Sequence, residues 1–344
     1  MTVEHDLNAG GQAEDMSVTD DAAAATAKPA RTRRATLIAW ARRILLLVVL
    51  AGATYQVVRQ WNDISATLLK LSWQSVTLSM LAVLVGVWLG PVVWKIVLSD
   101  LGAPVSVVDS SKFYLVGQLG KYIPGSVWAV LLSMELAKEA GVSRARTFTA
   151  GLIATGIGVV ASMITALLAL PVILTGNREL LWLFALLPVG LVFLHPKPLT
   201  WLVSRVLRLI GKQPLPHPLN GIAIFKATAV AALVYVVFGV HLWLLAHSAG
   251  SPGLGSLLLC VGTMGVAMTA GLFAFFLPSG LGAREAVVAA ALTTVMPLGQ
   301  ATALVVVSRL MFTVADLSSA GAAWLIAQLH RKRVDGVAVA ADPS

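Results

Sequence analysis

The sequence predicts an all-α, polytopic membrane helix bundle of about eight crossings, with two Pro/Gly-broken re-entrant segments placed as in an inverted repeat. Three observations carry this. Of 344 residues, 58% are hydrophobic and 12% charged, against about half and about a quarter in soluble domains. The apolar residues gather in runs of about 20, the length that crosses a bilayer as a helix. Two passages, "GKYIPGSVWAV" from Gly120 to Val130 and "FFLPSGLGARE" from Phe275 to Glu285, carry Pro and Gly where a spanning helix would carry Leu.

Taken in order, residues 1–35 divide by charge: Glu4, Asp6, Glu14, Asp15, Asp20 and Asp21 precede Lys28, Arg31, Arg33 and Arg34. With mostly Ala, Thr and Gly between them they cannot bury a core, and a disordered tail is predicted. The first apolar run begins late and has no small-residue cleavage site after it, which argues against a cleaved signal peptide. Crossings are predicted over residues 36–58, 76–98, 147–174, 180–195, 221–247, 254–277, 282–297 and 300–329, two of them short. The chain thus divides into a tail of 1–35, a membrane domain of 36–330 and a second tail of 331–344.

Orientation follows from the basic residues, which are retained on the cytoplasmic side. Lys28 to Arg43 precede the first crossing, Lys112, Lys121, Lys138, Arg144 and Arg146 the third, Lys197, Arg205, Arg208 and Lys212 the fifth, and Arg331, Lys332 and Arg333 follow the last. Both termini are therefore expected in the cytoplasm of a cell bounded by this membrane. The net charge of +9 sits mostly at the ends of apolar segments, where it meets anionic lipid; no groove-reading pattern points to nucleic acid. Leu199 to Lys212 alternates apolar and basic residues at helical spacing and reads as an amphipathic surface helix. Small residues recur every fourth position at Ala150, Ala154, Gly158, Ser162 and Ala166, and again at Ala315, Ser319, Ala323 and Ala327. Such stripes let helix backbones approach closely in lipid. A single Cys, Cys260, precludes an intramolecular disulfide, and nothing in the sequence calls for a metal or another cofactor.

The breaks have a shared grammar: an apolar approach, a proline, then glycines. Pro124 disfavours helix at Ile123, and Gly120 and Gly125 loosen the backbone around it. A helix should end near Tyr122 to Gly125 and a new one start at Ser126, a residue suited to cap it. Pro278, Ser279, Gly280 and Gly282 repeat the pattern before a helix from Ala283. Freed backbone groups in lipid cost several kcal/mol each, so both breaks must be packed in protein or line a wet cavity. Paired breaks in the two halves of a chain point to a central site in transporters built from inverted repeats.

Ionisable residues at membrane depth are costly and mark function when they face the interior. Glu285 falls in the first turn of the helix after Pro278, where it complements the positive helix end; Arg284 beside free amides could meet a lipid phosphate. Arg309 and Asp316 project from nearly one face of the last helix but sit two turns apart, so each needs another partner. For Arg309 that partner is expected to be Glu285. Lys121, beside the first break, is a further phosphate contact. His241, in mid-helix, either bonds across helices or carries protons. Trp94 and most other tryptophans read as packing or interfacial residues, with Trp128 set apart by its place in the motif. The proposed headgroup site is thus Lys121, Tyr122, Pro124, Gly125 and Trp128 from the first half with Pro278, Gly280, Gly282, Arg284, Glu285, Arg309 and Asp316 from the second.

The pairing of "GKYIPGSVW" with "LPSGLGARE" resembles the transmembrane-region family of lysylphosphatidylglycerol synthases, also described as a flippase-like domain family. The resemblance spans residues 36 to 330, and Pro278, Gly280, Gly282 and Glu285 fall in the family's order. In the first motif Ser126, Val127 and Trp128 stand where relatives commonly carry a basic residue and a Gly-Glu pair. Members are associated with lipid translocation: the membrane half of the bacterial multiple peptide resistance factor moves aminoacylated phosphatidylglycerol between leaflets, and others accompany glycosyltransferases that use polyprenyl-phosphate sugars. The resemblance therefore implies movement of a phospholipid or lipid-linked intermediate, with membrane lipids or lipid-linked glycans as ligands. The alternatives are a scaffold or accessory subunit of a cell-envelope glycosyltransferase and a membrane-embedded transferase. The small-residue stripes allow a homo-oligomer or an envelope-biosynthesis enzyme as partner. "GQLGK" lacks the spacing of a phosphate loop, so transport would be passive or driven by an ion gradient. Catalysis is not expected, because aminoacylation in the related synthases belongs to a separate soluble domain and the outer loops offer only Asp63 and Glu179 as acids.

Overall fold

A computed structural model describes residues 40, 54–55, 58–123, 127–170, 192, 195–209, 211, 219–250, 253–274 and 277–341. Among these no strand occurs, and residues from Val49 onward belong to one compact unit. The expected crossings at 36–58 and 180–195, and the tail of 1–35, fall almost wholly outside the described residues.

Among the described residues, five helices are long and apolar enough to span a bilayer. They are α2 (Trp73–Asp100), α5 (Arg144–Ala166, extended by a 3-10 turn at Leu167–Ala169), α7 (Gly221–Ser248), α8 (Leu254–Phe273) and α10 (Leu298–Ala341). The described residues also hold shorter helices: α1 (Trp61–Lys70), α3 (Val107–Ser111), α4 (Val127–Glu139), α6 (Pro196–Leu209) and α9 (Ala283–Leu292). Local chemistry fixes several starts. The side chains of Ser72, Ser106, Ser143 and Asn220 accept hydrogen bonds from the amides of Ser75, Asp109, Arg146 and Ile222, satisfying donors that the first turn leaves free.

One expected crossing is corrected. Residues 282–297 hold only the ten-residue α9, about 15 Å of helix at 1.5 Å per residue, or half a bilayer core. Apolar content there suggested a span, but the turns at Thr293 to Val295 end the helix early. α4, with 13 residues, is likewise too short to cross. These two half-length helices follow the two breaks.

The long helices pack α7 against α2 most extensively, and α7 also packs against α5 and α8. The small-residue stripes serve this packing. Ala150, Ser162 and Ala166 are buried on α5, where the Ser162 hydroxyl meets Thr269 of α8 at 2.6 Å. On α10, Ala315, Ser319, Ala323 and Ala327 are all buried. The amphipathic segment is helix α6 as expected, and its apolar stripe of Leu199, Val203 and Leu207 is buried in the bundle's core.

Lys112 departs from its expected role as a loop cation. Its side chain is 4% exposed and lies 2.7 Å from Glu139, which also faces Arg331 at 3.7 Å. This joins the two limbs of the first re-entrant segment to the far end of α10.

Candidate functional site

The first break unwinds in stages. A π turn at Lys112–Val116 follows α3, a 3-10 turn spans Leu119–Tyr122, and Ile123 is extended. The chain reappears as α4 at Val127; Pro124, Gly125 and Ser126 lie outside the described residues. The descending limb lies directly on α4: a Cβ added at Gly120 would fall within 2.6 Å of Trp128 and Ala129 backbone atoms. Only glycine permits that contact between two limbs of a hairpin.

The second break follows α8. Leu277 donates to the Ala274 carbonyl at 2.8 Å, and Pro278–Gly280 form a 3-10 turn. Ser279 sits at φ 52°, the sole described non-glycine residue with a positive φ, and Gly280 and Gly282 follow at 65° and 89°. An L residue in this region is uncommon and persists where its surroundings hold it. Gly280 rests on the backbone of Gly271 near the end of α8. α9 then begins with the Gly282 amide donating to Glu285 Oε2 at 2.7 Å, which caps the helix with a carboxylate.

The two breaks touch each other through their 3-10 turns, inside the bundle and against α10. One helix therefore grips both. Asp316 Oδ2 lies 2.7 Å from Lys121 Nζ and accepts a 2.6 Å hydrogen bond from the Tyr122 hydroxyl. Two turns earlier, Arg309 donates to the Ser279 carbonyl at 3.2 Å and stands 3.1 Å from Glu285 Oε1. The Arg309–Glu285 pair is the one expected from the sequence; Oε1 receives no hydrogen bond, so this contact is ionic rather than a directed bond. Asp316 finds its partners in the other half of the chain.

Both breaks open onto one cavity of about 440 Å³. Its lining includes Lys121, Ser279, Gly280, Arg284 and Asp316, together with Tyr114 of the first break's π turn and Trp94, Thr155, Tyr235, Phe238 and Thr269 of α2, α5, α7 and α8. Arg284 stacks 3.9 Å over the Phe312 ring. Among the described residues it has no carboxylate within ion-pair distance, whereas Lys121 and Arg309 each have one. Three cations thus face two carboxylates, and Arg284 carries the surplus charge into the cavity.

Of the remaining sequence-proposed residues, Trp128 is 49% exposed and does not line the cavity. Its neighbour Ala129 does. His241 is fully buried, with Nδ1 2.6 Å from the Ser79 hydroxyl and Nε2 2.9 Å from that of Ser308. It is a polar link between α2, α7 and α10. The aromatic and hydroxyl lining escaped sequence reasoning: Trp94 read as packing, and Tyr114 and Tyr235 sit in apolar runs that drew no functional reading. With Thr155 and Thr269 they lie on five separate segments, so no local signal announced their convergence.

No curated protein matches the chain. A family model described as the lysylphosphatidylglycerol synthase TM region matches residues 37–316, which takes in both breaks, the cavity and the two α10 charges. The chain belongs to the lysylphosphatidylglycerol synthase transmembrane-region family.

Proposed function

We propose that the protein moves a lipid with a phosphate-bearing headgroup, either a phospholipid or a lipid-linked intermediate of the polyprenyl-phosphate type, between the leaflets of the cytoplasmic membrane. The observation that carries this is Arg284, without a carboxylate partner among the described residues, set in a cavity where two half-length helices begin. A headgroup crossing a bilayer needs polar partners to replace water, and backbone released from helical bonding supplies them without many fixed charges. Here the Ser279 region provides such backbone and Arg284 provides the counter-charge for phosphate. Lys121 and Arg309, already neutralised by carboxylates, hold the breaks in place. The acyl or prenyl tails stay in the bilayer, and both termini face the cytoplasm in this arrangement.

The experiment is reconstitution. Proteoliposomes loaded with fluorescent phosphatidylglycerol should lose label to an external quencher about tenfold faster than empty vesicles, and Arg284→Gln should return the rate to near that of empty vesicles. Equal rates with and without protein, for phospholipid and polyprenyl-phosphate probes alike, would sink the reading.

A further inference from the structure

We infer that the cavity selects an anionic, hydroxyl-rich headgroup, of the sugar-phosphate or inositol-phosphate class, and rejects an aminoacylated cationic one. This deepens the proposed function and rests on that reading for its relevance to transport, though the selectivity itself is a binding property.

Charge argues first. Among the described residues Asp316 is the one carboxylate that lines the cavity, and its Oδ2 takes both Lys121 and Tyr122; Glu285, outside the lining, is held between Arg309 and the Gly282 amide. An incoming ammonium finds no free counter-ion and meets Arg284 instead. Like charges brought together where water is scarce repel strongly, because the low local dielectric magnifies the interaction. A phosphate at the same place completes the only unpaired cation of the cluster among the described residues.

The aromatic and hydroxyl part of the lining argues second. Trp94 and Tyr114 meet edge to face with centroids 5.9 Å apart, and Thr155, Tyr235 and Thr269 add hydroxyls to the same lining. Hydroxyls both donate and accept, as a polyol does, while the aromatic surfaces suit the C–H faces of a ring. A volume of about 440 Å³ lies at the small end of ligand pockets, which run from about 300 to 1,000 Å³. It suits one ring with its phosphate. Sites built to hydrogen-bond substrate hydroxyls discriminate strongly against analogues that lack them.

The test is binding of phosphatidylinositol, phosphatidylglycerol and lysyl-phosphatidylglycerol to the full chain in detergent, read by native mass spectrometry. Phosphatidylinositol should bind at least about tenfold more tightly than lysyl-phosphatidylglycerol, with phosphatidylglycerol between them. Arg284→Gln should shrink the first ratio to within about threefold, Arg284→Lys should preserve it, and Tyr235→Phe should lower the preference for phosphatidylinositol over phosphatidylglycerol. Thermal melting of each variant separates lost selectivity from lost fold. Lysyl-phosphatidylglycerol binding as tightly as phosphatidylinositol, or no preference of phosphatidylinositol over phosphatidylglycerol, overturns the inference. The vesicle assay distinguishes the two proposals. Selective binding without movement removes translocation and leaves the selectivity, and movement of all three lipids at one rate does the reverse.

Discussion

The two breaks share a sequence grammar and are built in different ways. The first is anchored by side chains: Lys121 and Tyr122 converge on Asp316 of α10, 194 residues from Tyr122, and Lys112 reaches across to Glu139. The second is built mainly from backbone conformation. Three positive-φ positions at Ser279, Gly280 and Gly282, a glycine-to-glycine contact with α8 and a carboxylate cap on α9 shape it before Arg309 adds its grip. Proline and glycine therefore specify where a membrane helix stops. They do not specify what holds the loose ends, and the two solutions should fail differently.

The largest difference should come from Gly280→Ala set against Gly120→Ala. Both put a Cβ into neighbouring backbone, but Gly280 adds a φ of 65° that alanine adopts only under strain. Gly280→Ala should cost about 3 kcal/mol or more and Gly120→Ala about 1–2 kcal/mol less. Thermal melting in detergent measures both. Equal losses would mean that close approach alone, and not backbone conformation, sets the second break apart.

Asp316→Ala should come next. It strands Lys121, whose side chain is 29% exposed, so the penalty for an unpaired charge is moderated by solvent, to about 2–3 kcal/mol. The effect should be confined to the first break. In a Cys260→Ser background, a cysteine reporter at Ile123 should gain thiol reactivity severalfold when Asp316 is replaced. A reporter as slow to react as in the parent protein would show that the first break does not depend on its side-chain anchor.

Glu285→Gln should have the smallest effect, about 0.5–1 kcal/mol, because the amide oxygen still accepts from the Gly282 amide and only the cap's charge and the undirected contact with Arg309 are lost. The Ile123 reporter should not respond. Were Glu285→Gln to destabilise as much as Asp316→Ala, the second break would prove to be held by its ion pair after all.

Much of the site could be read in advance because its cues are local. Pro278 with its glycines marks a helix end whatever surrounds it, and Glu285 three residues after Gly282 is a capping pattern visible in one turn. The Arg309–Glu285 pair was also legible, since the two residues lie on consecutive helices. Asp316 was marked only as needing a partner. Lys121 stood in view, but nothing local says which of several cations a carboxylate on a distant helix will meet. Lys112 misled for a related reason: positive charge outside a span usually means a wet loop, and here a distant carboxylate made burial tolerable.

The amino-acid sequence by itself determined that this is an α-helical membrane protein, and it marked the two places where its helices are interrupted. These follow from composition, capping and backbone preference, which act over a few residues. Only the tertiary structure decided that 282–297 holds a half-length helix, that α10 grips both breaks, and that Arg284 is left without a carboxylate beside a wall of aromatic and hydroxyl groups. Those depend on which helix faces meet, and packing settles that over separations of more than a hundred residues, beyond the reach of any local pattern.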